Sequence, residues 1–168
     1  MLDLPRLQIR NIKVSVLLEQ DLNPSLITST VSHHENFVLT IYPNKRDLVN
    51  VTKLENIDQL FKIEDIITSK FGIKCRNVKI DAMMLTRKVR NRQFSMNKIL
   101  DFLKHQNDFE LSFNSELFHA PSVKSKFGTF NLFASGSCTV MGAKTLEDID
   151  SIEVFLNQIY CKENEIKE

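Results

Sequence analysis

The chain has 168 residues, 42% of them hydrophobic and 26% charged, enough for one good core or for two fused half-domains. Its formal net charge of +1 is lower than a protein that coats nucleic acid mainly by charge would carry, but leaves recognition by shape open. No apolar run reaches the length of a membrane span, and Met1 to Arg10 lacks the basic-then-apolar order of a secretory signal. Cys75, Cys138 and Cys161 are scattered without a C-x-x-C, which argues against a disulfide framework and a zinc site.

From Ile9 to Leu17 apolar and polar residues alternate, Ile12, Val14 and Val16 against Asn11, Lys13 and Ser15, which predicts a half-buried strand. His33-His34-Glu35 falls in a loop; a loop explains the two histidines without a metal, since no third ligand is placed. Residues 36–42 and 48–52 read as strands flanking the turn Pro43-Asn44-Lys45-Arg46. Thr52-x-x-Glu55 is a capping box, and Ile57, Leu60, Phe61, Glu64 and Ile67 then keep a mostly apolar stripe at helical spacing until Phe71-Gly72 supplies a left-handed stop. The next strand opposes Val78, Ile80 and Ala82 to Asn77, Lys79 and Asp81.

Arg87, Lys88, Arg90 and Arg92 form a basic run, read as a solvated stretch or as a contact for phosphate or an acidic partner. A helix is expected from Ser95, with Met96, Ile99, Leu100 and Leu103 on one face, and a strand over residues 109–113. Lys124 and Lys126 fall between the predicted strands, read equally as phosphate contacts or as part of a solvent-exposed loop. Residues 129–134 and 138–143 flank the turn Ser135-Gly136-Ser137, and Thr145-x-x-Asp148 opens a last helix with Ile149, Ile152, Leu156, Ile159 and Tyr160 inward. The charged tail, 161–168, is expected to fray. Neither a Gly-rich phosphate loop nor a nucleophile with a positioned base occurs, so catalysis and a cofactor are not expected.

Two short matches recur in order. Arg10-Asn11-Ile12-Lys13 returns as Arg76-Asn77-Val78-Lys79, and Leu54-Glu55-Asn56-Ile57-Asp58 as Leu146-Glu147-Asp148-Ile149-Asp150. The offsets are 66 (10 to 76) and 92 (54 to 146), so the second copy carries 26 more residues between its first strand and last helix. This is the pattern of a degenerate internal repeat. It divides the chain into a first repeat, 1–72, a second, 73–160, and the tail, each repeat ending in a hairpin and a long helix.

The second copy resembles the TATA-box-binding protein family. The carriers are Glu116-Leu117-Phe118, Asn131-Leu132-Phe133-Ala134-Ser135-Gly136 and Thr139-Val140-Met141-Gly142-Ala143-Lys144, with Asn11 and Asn77 matching the asparagine that opens each half. The resemblance runs from about Leu7 to Tyr160. It implies an α+β saddle of two pseudo-repeats, one curved antiparallel sheet with helices on the convex face. The family is itself a reference case for bending through a widened minor groove with inserted phenylalanines. By the motif match Phe118 and Phe133 form a wedge pair, and Asn11 and Asn77 meet base-edge acceptors near the centre of the site. Lys13 and Lys79, which replace apolar groove-facing residues of the family, and Lys124 and Lys126, between the wedges, complete the expected DNA contacts. Glu116 and Leu117 would face a general initiation factor of the B type.

The chain departs from the family at Met141, where the family has Thr, and in the first half, where Gly-Ala-Lys has become Val51-Thr52-Lys53. There the hairpin wedge falls on Ile41 or Tyr42, and Phe37 is the candidate for the other. The implied function is a promoter-binding initiation factor, acting on A·T-rich double-stranded DNA with the RNA polymerase machinery and without membrane or small-molecule substrate. The drift resembles that of a viral or fast-evolving protist protein, placing it in a nucleus or at a cytoplasmic viral replication site. The alternative is an interaction module on the same fold that no longer binds DNA. Read without the motif, Phe118 and Phe133 would be core residues and Asn11 and Asn77 turn or edge residues.

Overall fold

The computed structural model describes residues 2–18, 30–34, 37–41, 49–52, 57–72, 74–112 and 120–166, with the backbone alone for several of them, the second to fourth strands included. Contacts divide it into two compact units, one of Ile9–Met83 and one of Met84–Glu168 together with Met1–Gln8.

The first unit opens with β1 (Gln8–Leu18), where Ile12, Val14 and Val16 are fully buried while Lys13 is exposed. β2 (Thr30–His34), β3 (Phe37–Ile41) and β4 (Val49–Thr52) follow, hydrogen-bonded in the order β2-β3-β4-β1, with antiparallel registers Ser15↔Asn50, Thr40↔Asn50 and Val31↔Thr40. His33 and His34 therefore lie in a strand paired with Val38 and Phe37, and not in the expected loop. Helix α1 (Leu60–Phe71) starts later than the Thr52 capping box predicts. Thr52 is paired in the ladder with Val38, and the helix follows a short 3-10 turn, Ile57–Gln59, whose Gln59 makes no side-chain cap. Its end is the expected one: Gly72, at φ 65°, donates its N–H to the Thr68 carbonyl at 2.9 Å. Ile63 and Ile67, four apart on one face, are buried.

Strand β5 (Cys75–Arg87) is next to β1, and its last residues belong to the second unit. Asn77 and Lys79 are exposed, whereas Met83, Leu85 and Arg87 are buried at the same odd positions, so the buried side has changed by Met83.

In the second unit the Ser95 hydroxyl caps α2 (Met96–Lys104), and Ile99 and Leu103 are buried beneath it. β6 (Glu110–Ser112), β7 (Ser122–Ser125), β8 (Gly128–Leu132) and β9 (Cys138–Ala143) run in the order β5-β9-β8-β7-β6. β7 occupies a stretch between the predicted strands, so Lys124 stands in a strand and Lys126 in the tight turn to β8. The registers align Leu111, Val123, Phe130 and Val140 in one row; all but Leu111 are fully buried. α3 (Leu146–Ile159) covers this apolar side, its Phe155 stacking on Phe109 at 4.1 Å and lying 5.8 Å from Phe130, ring centre to ring centre. The capping box of α3 forms as expected: Thr145 Oγ1 accepts from the Asp148 N–H at 3.0 Å, and Asp148 Oδ2 accepts from that of Thr145 at 3.1 Å.

The tail does not fray before Ile166. Glu165 bridges to Phe94 and pairs with Arg92 at 3.0 Å, and the Ile166 N–H reaches the Gln93 carbonyl at 2.8 Å. Charged composition suggested solvation; backbone pairing with the segment before α2 holds the tail instead. No helix among the described residues is long and apolar enough to cross a membrane.

Candidate nucleic-acid interface

Because side chains alternate along a strand, the buried row of the second unit leaves two rows for the opposite face. One is Ser112, Ser122, Asn131 and Thr139; the other is Glu110, Lys124, Thr129 and Met141. In the first, Asn131 Nδ2 donates to Thr139 Oγ1 at 3.2 Å. In the second, Met141 is 58% exposed and Lys124 is exposed. This face is polar and rich in short hydrogen-bonding groups, which distinguishes it from the apolar side under α3. Asn131 and Thr139 belong to it although sequence reasoning gave them no role beyond the motif; their pairing across a hairpin was the available signal.

Phe133 follows β8 and, by the same alternation, falls on the side of Thr129 and Asn131. It is 39% exposed, whereas Phe130 three residues earlier is fully buried. The backbone around it is held at many points. Tyr160 Oη donates to the Phe133 carbonyl at 2.9 Å, the Phe133 N–H donates to the Ser137 carbonyl at 3.1 Å, and the Ala134 carbonyl accepts from the Phe94 N–H at 2.7 Å. Arg87 Nε donates to the Gly136 carbonyl at 3.3 Å, with its guanidinium 5.5 Å from the centre of the Tyr160 ring. Ser137 Oγ ties the turn to Val89, accepting from its N–H at 2.8 Å.

Arg87 thus departs from the solvated run expected of it. It is 3% exposed, the buried charged residue among those described, and is covered by the Tyr160 ring and the 133–137 turn. Lys88 and Arg90 remain exposed. Burial pushes the Tyr160 phenol upward, further than the neighbouring Arg87 guanidinium lowers it. It also pushes up the Cys138 thiol, against an opposing effect of Arg87.

Lys126 lies in the β7–β8 turn with its ammonium 4.9 Å from the Phe127 ring centre. Glu116, Leu117 and Phe118, and Tyr42 in the first half, lie outside the described residues. For Phe37 and Ile41 the backbone of β3 is described.

In the first unit, Ser15 Oγ donates a hydrogen bond to Asp81 Oδ2. That bond joins the polar side of β1 to the side of β5 that carries Asp81. By alternation Asn11 and Lys13 accompany Ser15, and Asn77 and Lys79 accompany Asp81, so all six share one face. Lys13, Asn77 and Lys79 are exposed, and Asn11, Ser15 and Asp81 half-buried. Among the described residues no group of three or more histidines, cysteines or carboxylates is placed to hold a metal.

In the second unit an antiparallel hairpin sheet, with a long helix on its apolar side and short polar residues on the other, defines a class of α+β platform. Among solved structures the chain is similar to the TBP of Methanococcus jannaschii, with a TM-score of 0.63 and 18% identity, over 92% of this chain and 98% of that one. The fold is therefore that of the TATA-box-binding protein. A structure of A. aeolicus tRNASec in complex with M. kandleri SerRS also aligns, at TM-score 0.45 and 8% identity over 92% of this chain and 30% of that one, too loosely to carry an argument. No protein family and no curated protein sequence matches the chain.

Proposed function

We propose that this chain is a DNA-binding transcription initiation factor that enters the minor groove of A·T-rich promoter DNA with the polar sheet face and bends it. The observation that carries this reading is Phe133, a large ring 39% exposed beside a lane of hydrogen-bonding residues, on a turn braced by Tyr160 and Arg87. A ring needed only for the core would be buried, as Phe130 is. Inserting an apolar wedge costs on the order of a few kcal/mol of base unstacking, offset by the extra surface a bent duplex meets. Asn11, Asn77 and Asn131 are of the residue type that reads groove acceptors, while Lys13, Lys79, Lys124 and Lys126 supply phosphate contacts. Phe118 is assigned as the second wedge by its motif. Recruitment of a B-type initiation factor and RNA polymerase is assigned to Glu116 and Leu117 on the same ground, and the site of action to a nucleus or a cytoplasmic viral replication site.

End-to-end fluorescence transfer on a short A·T-rich duplex tests the mechanism. Wild type should bend it, and Phe118→Ala with Phe133→Ala should reduce both bend and affinity while leaving the salt dependence intact, since neither ring neutralises phosphate. Binding without bending would end the wedge reading. One observation favours a second reading, an interaction module without DNA binding: the Asp81 carboxylate shares a face with Asn11 and Asn77. Failure to bind any duplex at low salt, with or without a partner factor, would select that reading.

A further inference from the structure

A carboxylate is an unexpected group on a surface meant for the minor groove. Phosphates repel it, and the groove floor is mostly acceptors: an A·T pair offers only adenine N3 and thymine O2. The floor has one kind of donor, the 2-amino group of guanine. An ionised carboxylate can only accept hydrogen bonds. In the first unit the Ser15 hydroxyl proton is committed to Asp81 Oδ2, so this pair offers oxygen lone pairs to whatever approaches it. Against an A·T pair, acceptor would meet acceptor. Against a G·C pair, the guanine amine would give a charge-assisted hydrogen bond. Lys13 and Lys79, exposed on the same face, provide the positive charge that lets a carboxylate approach a phosphate-lined groove.

We propose that the Ser15–Asp81 pair is a specificity element that reads the 2-amino group of guanine and requires a G·C pair at one position of an otherwise A·T-rich site. This rests on the minor-groove reading above. It also accounts for a carboxylate on this face without abandoning DNA binding.

The test uses the full chain and fluorescence anisotropy on an A·T-rich duplex in which one G·C pair is moved step by step. At one position G·C should bind about tenfold tighter than A·T, the discrimination of one good base contact. Replacing that guanine by inosine removes only the minor-groove amine and should abolish the gain. Asp81→Ala should lose the preference at that position alone and bind the all-A·T duplex at least as tightly as wild type does, since acceptor no longer meets acceptor. Ser15 and Asp81 could merely tie two strands together; Asp81→Ala would then lower the melting temperature without changing the ranking of duplexes. Should Asp81→Ala fail to fold, the inosine comparison on wild type still decides. A wild type that binds DNA but shows no favoured G·C position, or binds inosine and guanine equally, overturns this inference and leaves the minor-groove reading standing. A wild type that binds no duplex overturns both.

Discussion

Tyr160, at the end of α3, donates its phenolic hydrogen to the backbone carbonyl of Phe133 across 2.9 Å, coupling the last helix to the turn that presents the exposed ring. Tyr160 is itself buried, with Phe94 edge-on at 5.0 Å and 70°. The geometry of Phe133 is therefore set from the core outward.

Removing that hydrogen bond with Tyr160→Phe should cost about 1 kcal/mol of stability in urea unfolding, because the ring packing is kept and one part-buried carbonyl loses its donor. The pH dependence follows from the raised phenol. A group whose folded pKa lies above its unfolded value, about 10 for tyrosine, contributes stability that is complete below that value and lost as pH rises beyond it. Urea midpoints at pH 9 and 11 should fall further for wild type than for Tyr160→Phe.

Phe130→Ala and Phe133→Ala should separate core from surface. Phe130 is fully buried in the row under Phe155, so its removal should cost about 3–5 kcal/mol. Phe133→Ala should cost roughly a third of that or less, since much of its ring is already in water. Equal losses by chemical denaturation would place Phe133 in the core and remove the basis for a wedge.

Gly136 lies at φ 90°, and a Cβ there would come within 2.9 Å of Phe94 Cε2. Gly136→Ala should therefore destabilise by about 2–3 kcal/mol, combining backbone strain with a clash in a packed site. Gly72, at φ 65°, has open space around its Cβ position, so Gly72→Ala should cost only about 1 kcal/mol. Comparing the two melting temperatures isolates the steric part.

Cys138 is buried and its thiol raised by desolvation, so little thiolate forms at neutral pH. A thiol reagent at pH 7.5 should modify half-buried Cys161 before Cys138, which should react only as the protein unfolds. Peptide mapping after timed labelling reads the order. Early modification of Cys138 would mean that the β9 ladder opens locally.

Local chemistry determined much of this protein without reference to its fold. The alternation around Asn11 and Asn77, the glycine stop at Gly72, the Ser95 and Thr145 caps and both hairpins are consequences of neighbours within a few residues, and they are legible for that reason. Strands β2 and β7 were not, because stretches as polar as Thr30–His34 and Ser122–Ser125 owe their extended form to the strands that pair with them. The start of α1 was missed for a related reason: Thr52 can cap a helix only if a strand does not claim it first.

The candidate site divides the same way. Exposure of Lys13, Asn77 and Lys79 follows from strand periodicity, but Arg87 looks like any member of a basic run until Tyr160 and the Gly136 carbonyl close over it. Ser15 and Asp81 are 66 residues apart in the chain, and only the pairing of β1 with β5 makes them hydrogen-bond partners. Periodicity records which side of an element meets solvent. Which distant group waits on that side is decided by strand order and register, which no local pattern contains.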